Sequence, residues 1–269
     1  MLRSLKDLER YDVSANDGDV GRVVNFLFED ERWAIRYLVV DTGVFFRSRR
    51  VLVSPISFRQ ADWLTHRFHL ALTMASIKAS PSVDVDKPVC RQNEHDQALH
   101  YGYPFYWGYL GLWGQGPSPE LLAAGAKLEA RAPDSDKPND VHLRSANEVL
   151  RYHVHASDGD MGHIDDFIID DQTWEVRYLV IQTSHLWFGK RVLVSPGWAG
   201  RISWEGKAVY VDLTREAIKK CPTWDPSTPI NREYEVRLYD YYGRPAYWET
   251  FQPRLKATPP PTRPSFDDV

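Results

Sequence analysis

The sequence predicts a mainly β protein: two small antiparallel β-barrels in tandem, each with a short helix and an aromatic C-terminal extension. Three observations carry this. Residues Ser4–Trp107 align with Ser145–Trp248 without a gap, at an offset of 141, and roughly 38 of the 104 aligned pairs are identical. Within each copy, short branched and aromatic runs follow one another at close spacing, separated by turn residues. Their apolar faces suggest a sheet closed or nearly closed on itself.

The elements follow in order. Arg22–Glu29, rich in Val and Phe, reads as a strand after the turn Asp17-Gly18-Asp19-Val20-Gly21. Trp33–Asp41 alternates Trp33, Ile35, Tyr37 and Val39 against Arg36, Leu38 and Val40, and the short Asp30-Glu31-Arg32 link makes a hairpin. Arg50–Ser54 is a strand stopped by Pro55, which has no ladder donor. Phe68, Leu70 and Leu72 alternate in the next strand. Thr73 and Thr214 then stand as helix N-caps, with Pro81 and Pro222 ending one or two turns. Each copy closes on Tyr-Gly-x-Pro-x-Tyr-Trp, at 101–107 and 242–248. That extension is too aromatic for a free linker and is expected to pack across the repeat boundary.

This gives a first repeat with its extension over 1–107, a linker over 108–144, a second repeat with extension over 145–257, and a disordered Pro-rich tail over 258–269. A short helix is expected near 119–130 within the linker.

Composition narrows the function. A net charge of -4 argues against nucleic acid, which wants a basic surface. Two cysteines, Cys90 and Cys221, suit a reducing compartment. No apolar run reaches the roughly 20 residues of a membrane span, and the first residues do not resemble a signal peptide. A soluble, cytoplasmic protein is expected.

Several residue sets could carry chemistry. Asp17, Asp19, Asp158 and Asp160 lack EF-hand spacing and read as turn carboxylates, with Gly18 and Gly159 at positive φ. His153, His155 and His163 occur in one copy only and without cysteine, so they read as exposed-strand histidines and no metal is assigned. Arg36 and Arg177 interrupt apolar strands in both copies and are expected to be paired. Trp33, Trp63, Trp174 and Trp204 recur in register and read as core. Ser54 and Ser195 have no nucleophile motif around them. The aromatic loops differ between copies: Phe45 and Phe46 in the first, Leu186, Trp187 and Phe188 in the second. Aromatics beside basic residues on loops suit a partner contact.

The Asp-Gly-x-x-Gly turn, Trp-x-x-Arg-Tyr-Leu-Val and Val-Leu-Val-Ser-Pro occur twice, within 4–81 and 145–222. These motifs resemble the PRC-barrel family, found in the cytoplasmic domain of the photosynthetic reaction centre H subunit and in the ribosome-maturation factor RimM. The pattern is most similar to tandem bacterial PRC-barrel proteins. The resemblance implies a β-barrel docking module whose repeat motif includes Gly18, Gly21, Arg36, Gly159, Gly162 and Arg177, with no catalytic residues and no cofactor. The chain lacks the H subunit's membrane helix and the RNA-associated domain of the ribosomal factor. The expected function is therefore non-catalytic: a scaffold that docks a protein partner or a second copy of itself. The alternative is an RNA- or ribosome-associated assembly factor.

Overall fold

The computed structural model describes residues 1–43, 49–84, 87–125, 141–183 and 189–249. The first repeat begins with β1 (Leu2–Ser4), α1 (Leu5–Leu8), β2 (Asp12–Ala15), β3 (Gly18–Glu29) and β4 (Ala34–Asp41). It continues with β5 (Arg50–Val53), β6 (Phe58–Asp62), β7 (Arg67–Leu70), α2 (Met74–Lys78), β8 (Val89–Cys90) and α3 (Arg91–Tyr101). After α4 (Pro119–Ala124) the second repeat runs β9 (Val141–Ser145), α5 (Ala146–Val149), β10 (His153–Ala156), β11 (Gly159–Asp170) and β12 (Val176–Thr183). Then come β13 (Arg191–Val194), β14 (Ala199–Ser203), β15 (Ala208–Val211), α6 (Arg215–Lys220) and α7 (Arg232–Tyr242). Residues Met1–Ile230 form one compact unit, and the chain from Asn231 forms a second.

The described residues form two sheets with few, short helices. The first has the order β5-β4-β3-β2-β7-β6, with β8 and β9 attached; the second has β13-β12-β11-β10-β15-β14, with β1 attached. Most pairs are antiparallel, as the alternating pattern led us to expect. One pair in each sheet is parallel instead, β2 with β7 and β10 with β15. Among the described residues no ladder joins β5 to β6 or β13 to β14. Strand β4 is buried along nearly its whole length, more than an alternating strand with one wet face would be.

The repeats exchange strands. β1 pairs with β11 of the second repeat, Leu2 opposite Asp170 and Ser4 opposite Ile168. β9 pairs with β3 of the first, Leu27 opposite Ser145 and Glu29 opposite Leu143. Each crossing strand is fastened in the same way. Arg3 bonds Asp171 at 2.7 Å and lies 3.7 Å over Trp63. Its counterpart Arg144 bonds Asp30 at 3.0 Å and lies 4.4 Å over Trp204. Ser4 and Ser145 cap the short helices that follow, accepting from Asp7 N and Glu148 N. A polar clasp completes each exchange. Asn25 donates to Ser145 Oγ and accepts from Asn147 N. In its place Asp166 accepts from Ser4 Oγ and Lys6 N.

Ala34 bridges Glu175 on the symmetry axis itself. Phe28, Trp33 and Phe167 gather beside it, with ring centroids 5.0–6.4 Å apart. Trp174 reaches into the first repeat and meets Phe58 edge-on at 5.3 Å.

The backbone keeps the repeat more closely than the side chains do. Among the described residues the non-glycine residues at positive φ are Arg10 and Arg151, Trp33 and Trp174, His66 and Lys207, three pairs at the repeat offset. Three expectations need correction. Gly18 is absent from the positive-φ positions, whereas Gly159 is at 141°. Of the four repeated tryptophans only Trp174 is fully buried; Trp63 and Trp204 carry the arginines of the crossing strands instead. The first extension packs within its own repeat, where Tyr103 and Phe105 join Ala98 and Ile56. What crosses the boundary is Trp113, whose indole donates to Thr173 O at 2.7 Å.

Candidate functional site

A groove opens at the same place in both repeats. The first, a cavity of about 670 Å³, is lined by Asp12, Asp19, Gly21, Arg22, Asp41 and Arg67 among others. The second, about 530 Å³, is lined by Arg151, His153, Asp160, Gly162, His163, Gln182 and Thr183. Six of the second set stand 141 positions after lining residues of the first. Both grooves form where β2 or β10 carries a register shift against the next strand. Gly21 and Gly162 make the approach close: a Cβ there would fall 1.9 Å from Asp41 O and 2.1 Å from Gln182 O. Only glycine permits that contact.

Asp17 and Asp158 stand beside the grooves and do structural work, accepting from Met74 N and Arg215 N at the starts of α2 and α6. Each satisfies a helix-start N–H that would otherwise lack a partner, whereas Asp19 and Asp160 line the grooves.

The grooves share a backbone and differ in chemistry. In the first, Arg22 bonds Asp12 across the strands at 3.0 Å, and Arg67 bridges Asp12 and Asp19. In the second, the positions of Asp12 and Arg22 are His153 and His163, directly opposite each other. His155 stacks on Tyr210 at 5.1 Å and lies 3.7 Å from Asp160. Among the described residues no three His, Cys, Asp or Glu side chains come together as a metal-ligand set.

A second constellation is buried. Arg36 is fully buried, bonded to Glu29 and enclosed between Tyr106 at 3.8 Å and Trp113 at 4.5 Å. Arg91 lies 3.6 Å from Glu29 and 3.0 Å from Glu94, and Tyr106 donates its hydroxyl to Glu94. Burial pushes Glu29 up, but Arg36, Arg91 and Arg32 outweigh it and hold the carboxyl below its ordinary value. Burial wins at Glu94, which is pushed up to about 7 against the pull of Arg91 and Tyr106. This is a paired charge cluster that locks the first extension onto its sheet. Arg177 bonds Glu175 at 2.7 Å and approaches Asp170 at 3.9 Å. In the second unit Arg232 bonds Glu235 at 3.0 Å and lies 4.0 Å over Trp248, while Tyr247 donates to Glu235.

Of the residues singled out from sequence, Gly21 and Gly162 are the glycines the groove requires, and Gly18 and Gly159 open β3 and β11. Arg36 and Arg177 belong to charge clusters. Phe45, Phe46, Leu186, Trp187 and Phe188 lie outside the described residues. Glu29, Arg91, Glu94 and Tyr106 were missed. Their signal was present: Arg91-x-x-Glu94 and Tyr106 recur as Arg232-x-x-Glu235 and Tyr247.

Among the described residues no helix is long and apolar enough to cross a membrane. No protein-family model matches the chain, and no curated protein matches it.

Proposed function

We propose that the chain is a non-catalytic docking scaffold, built of two PRC-type barrels, that binds a cytoplasmic protein partner. The observation that carries this is the pair of equivalent grooves, alike in backbone and unlike in lining. Shared backbone answers to the fold; side chains that diverge on that backbone are free to answer to a ligand. The first groove offers mixed fixed charge, and the second adds two imidazoles and the Gln182 amide beside Arg151 and Asp160, which suits two different patches on one partner. Gly43, in the first groove, leads directly into the Phe45–Phe46 loop. The aromatics Phe45, Phe46, Trp187 and Phe188 of the sequence are then the candidate anchors, since aromatic side chains are enriched in protein contacts.

The test is affinity capture from native lysate with quantitative mass spectrometry. It compares the wild-type chain with Trp187→Ala/Phe188→Ala and with Arg22→Glu. A partner enriched by the wild type and depleted at least tenfold by either variant, at unchanged melting temperature, supports the scaffold. Equal capture by all three chains, or a large fall in melting temperature for the loop variant, refutes it.

A further inference from the structure

We infer that His153 and His163 form a two-imidazole site for a divalent transition cation at the mouth of the second groove. The two residues are directly opposed on antiparallel strands, so their side chains leave the same face with Cβ atoms roughly 4.5–5.5 Å apart. The first repeat shows what this backbone does with two side chains at these positions. Asp12 and Arg22, their counterparts, are opposed in the same register and meet at 3.0 Å. The second repeat keeps the geometry but replaces a self-neutralising ion pair with two imidazoles. Two imidazoles have no charge to satisfy each other with. They are well suited to share one cation at a metal–nitrogen distance of about 2.0–2.1 Å.

The surroundings set the type of site. His155 lies on the same strand face as His153, with ring centroids 6.5 Å apart, but its ring is stacked on Tyr210 and approaches Asp160 at 3.7 Å, and it is not the residue opposed to His153. Two protein ligands therefore bind, and water in the open groove fills the remaining positions. Imidazole donors favour zinc, copper and nickel over magnesium or calcium. The histidines, read from sequence as ordinary exposed-strand residues, acquire this role only when the register places His163 against His153.

The probe is Zn²⁺, titrated into the full chain by calorimetry, with the histidine ring signals followed by NMR. One saturable equivalent is expected, broadening or shifting the His153 and His163 signals. The informative variant is His153→Asp/His163→Arg, which installs the ion pair that the first repeat already accommodates. It should keep its melting temperature and bind zinc at least tenfold more weakly, while His155→Ala should stay within twofold of wild type. Should the exchange variant lose its native melting transition, His163→Gln serves under the same tenfold criterion. Absence of zinc binding to the wild type overturns the site. So does undiminished binding by the exchange variant, or an equal loss on His155→Ala.

Discussion

Ala34 and Glu175 pair across an antiparallel bridge, and each is the other's counterpart in the repeat. Ile35 N bonds Trp174 O at 2.8 Å, and Val176 N bonds Trp33 O at 2.7 Å. Such reciprocity arises only on a two-fold axis, the isologous geometry of a homodimer. Here it is drawn within one chain. The crossing strands β1 and β9 make each sheet depend on the other repeat's N-terminal segment.

Removing residues 1–4 should therefore weaken the second repeat and leave the first largely intact. The loss of the β1 ladder, the Arg3–Asp171 bond and the Ser4–Asp166 clasp is expected to cost roughly 2–4 kcal/mol. Hydrogen exchange should accelerate at Ile168–Asp170 before it does at Leu27–Glu29. The reverse order would contradict the exchange of strands.

Asp166→Asn should stabilise the protein at neutral pH. Burial pushes the Asp166 carboxyl up to about 6, against bonds from Ser4 and from the backbone of Phe167 and Lys6. A carboxyl raised in the fold favours folding below its unfolded value near 3.8, and that benefit is lost as pH rises through 6. The first repeat already uses Asn25 at this position with the equivalent bonds. The gain at pH 7 should be on the order of 1–2 kcal/mol and should vanish near pH 4. Thermal melts at the two pH values check it.

Glu94 should make the lock on the first extension pH-dependent with the same sign. Its folded value, about 7, lies above the ordinary 4.5, so stability falls as pH rises from 4.5 through 7. Glu94→Gln should flatten that slope. Tyr106→Phe, which removes the hydroxyl donor to Glu94, should steepen it. Intrinsic fluorescence from Trp107 and Trp113 during urea unfolding at several pH values follows the change.

Gly21→Ala should be among the most damaging single-methyl changes in the chain, at about 3 kcal/mol or more, because the added carbon would overlap Asp41 O. Gly18→Ala should cost under about 1 kcal/mol. Its Cβ would meet only the Met74 side chain, at 3.5 Å, and its φ is not positive. Urea midpoints of the two variants should differ accordingly.

Much of the local structure was legible in the sequence, because it depends on local pattern. The hairpin at Asp30–Arg32, the stop at Pro55 and the caps Thr73 and Thr214 appear as expected. What was not legible depends on register and on partners distant in the chain. Nothing in Leu2-Arg3-Ser4 says that it will pair with Ile168–Asp170 rather than within its own repeat. Trp63 and Trp204 read as core because a recurring tryptophan usually is; their arginine partners lie on crossing strands that periodicity does not reveal. The Arg91–Glu94–Tyr106 lock was repeated in the sequence, but its meaning required seeing Glu29 and Arg36 beside it. The histidine pair was visible as three nearby imidazoles; which two face each other was set by the bulge between Val154 and His155.

The strand exchange also governs biosynthesis. Arg3 and its partner Asp171 are 168 residues apart. At about 5–20 residues per second, roughly 10–30 s pass between synthesis of β1 and synthesis of its partner strand. Through that interval β1 is an unpaired edge on the nascent chain, and the first sheet waits for β9. The first repeat therefore leaves the ribosome unable to complete its own sheet. Pairing of both crossing strands therefore comes late in synthesis, and a ribosome stalled before β9 should hold a first sheet whose β3 edge lacks its β9 partner.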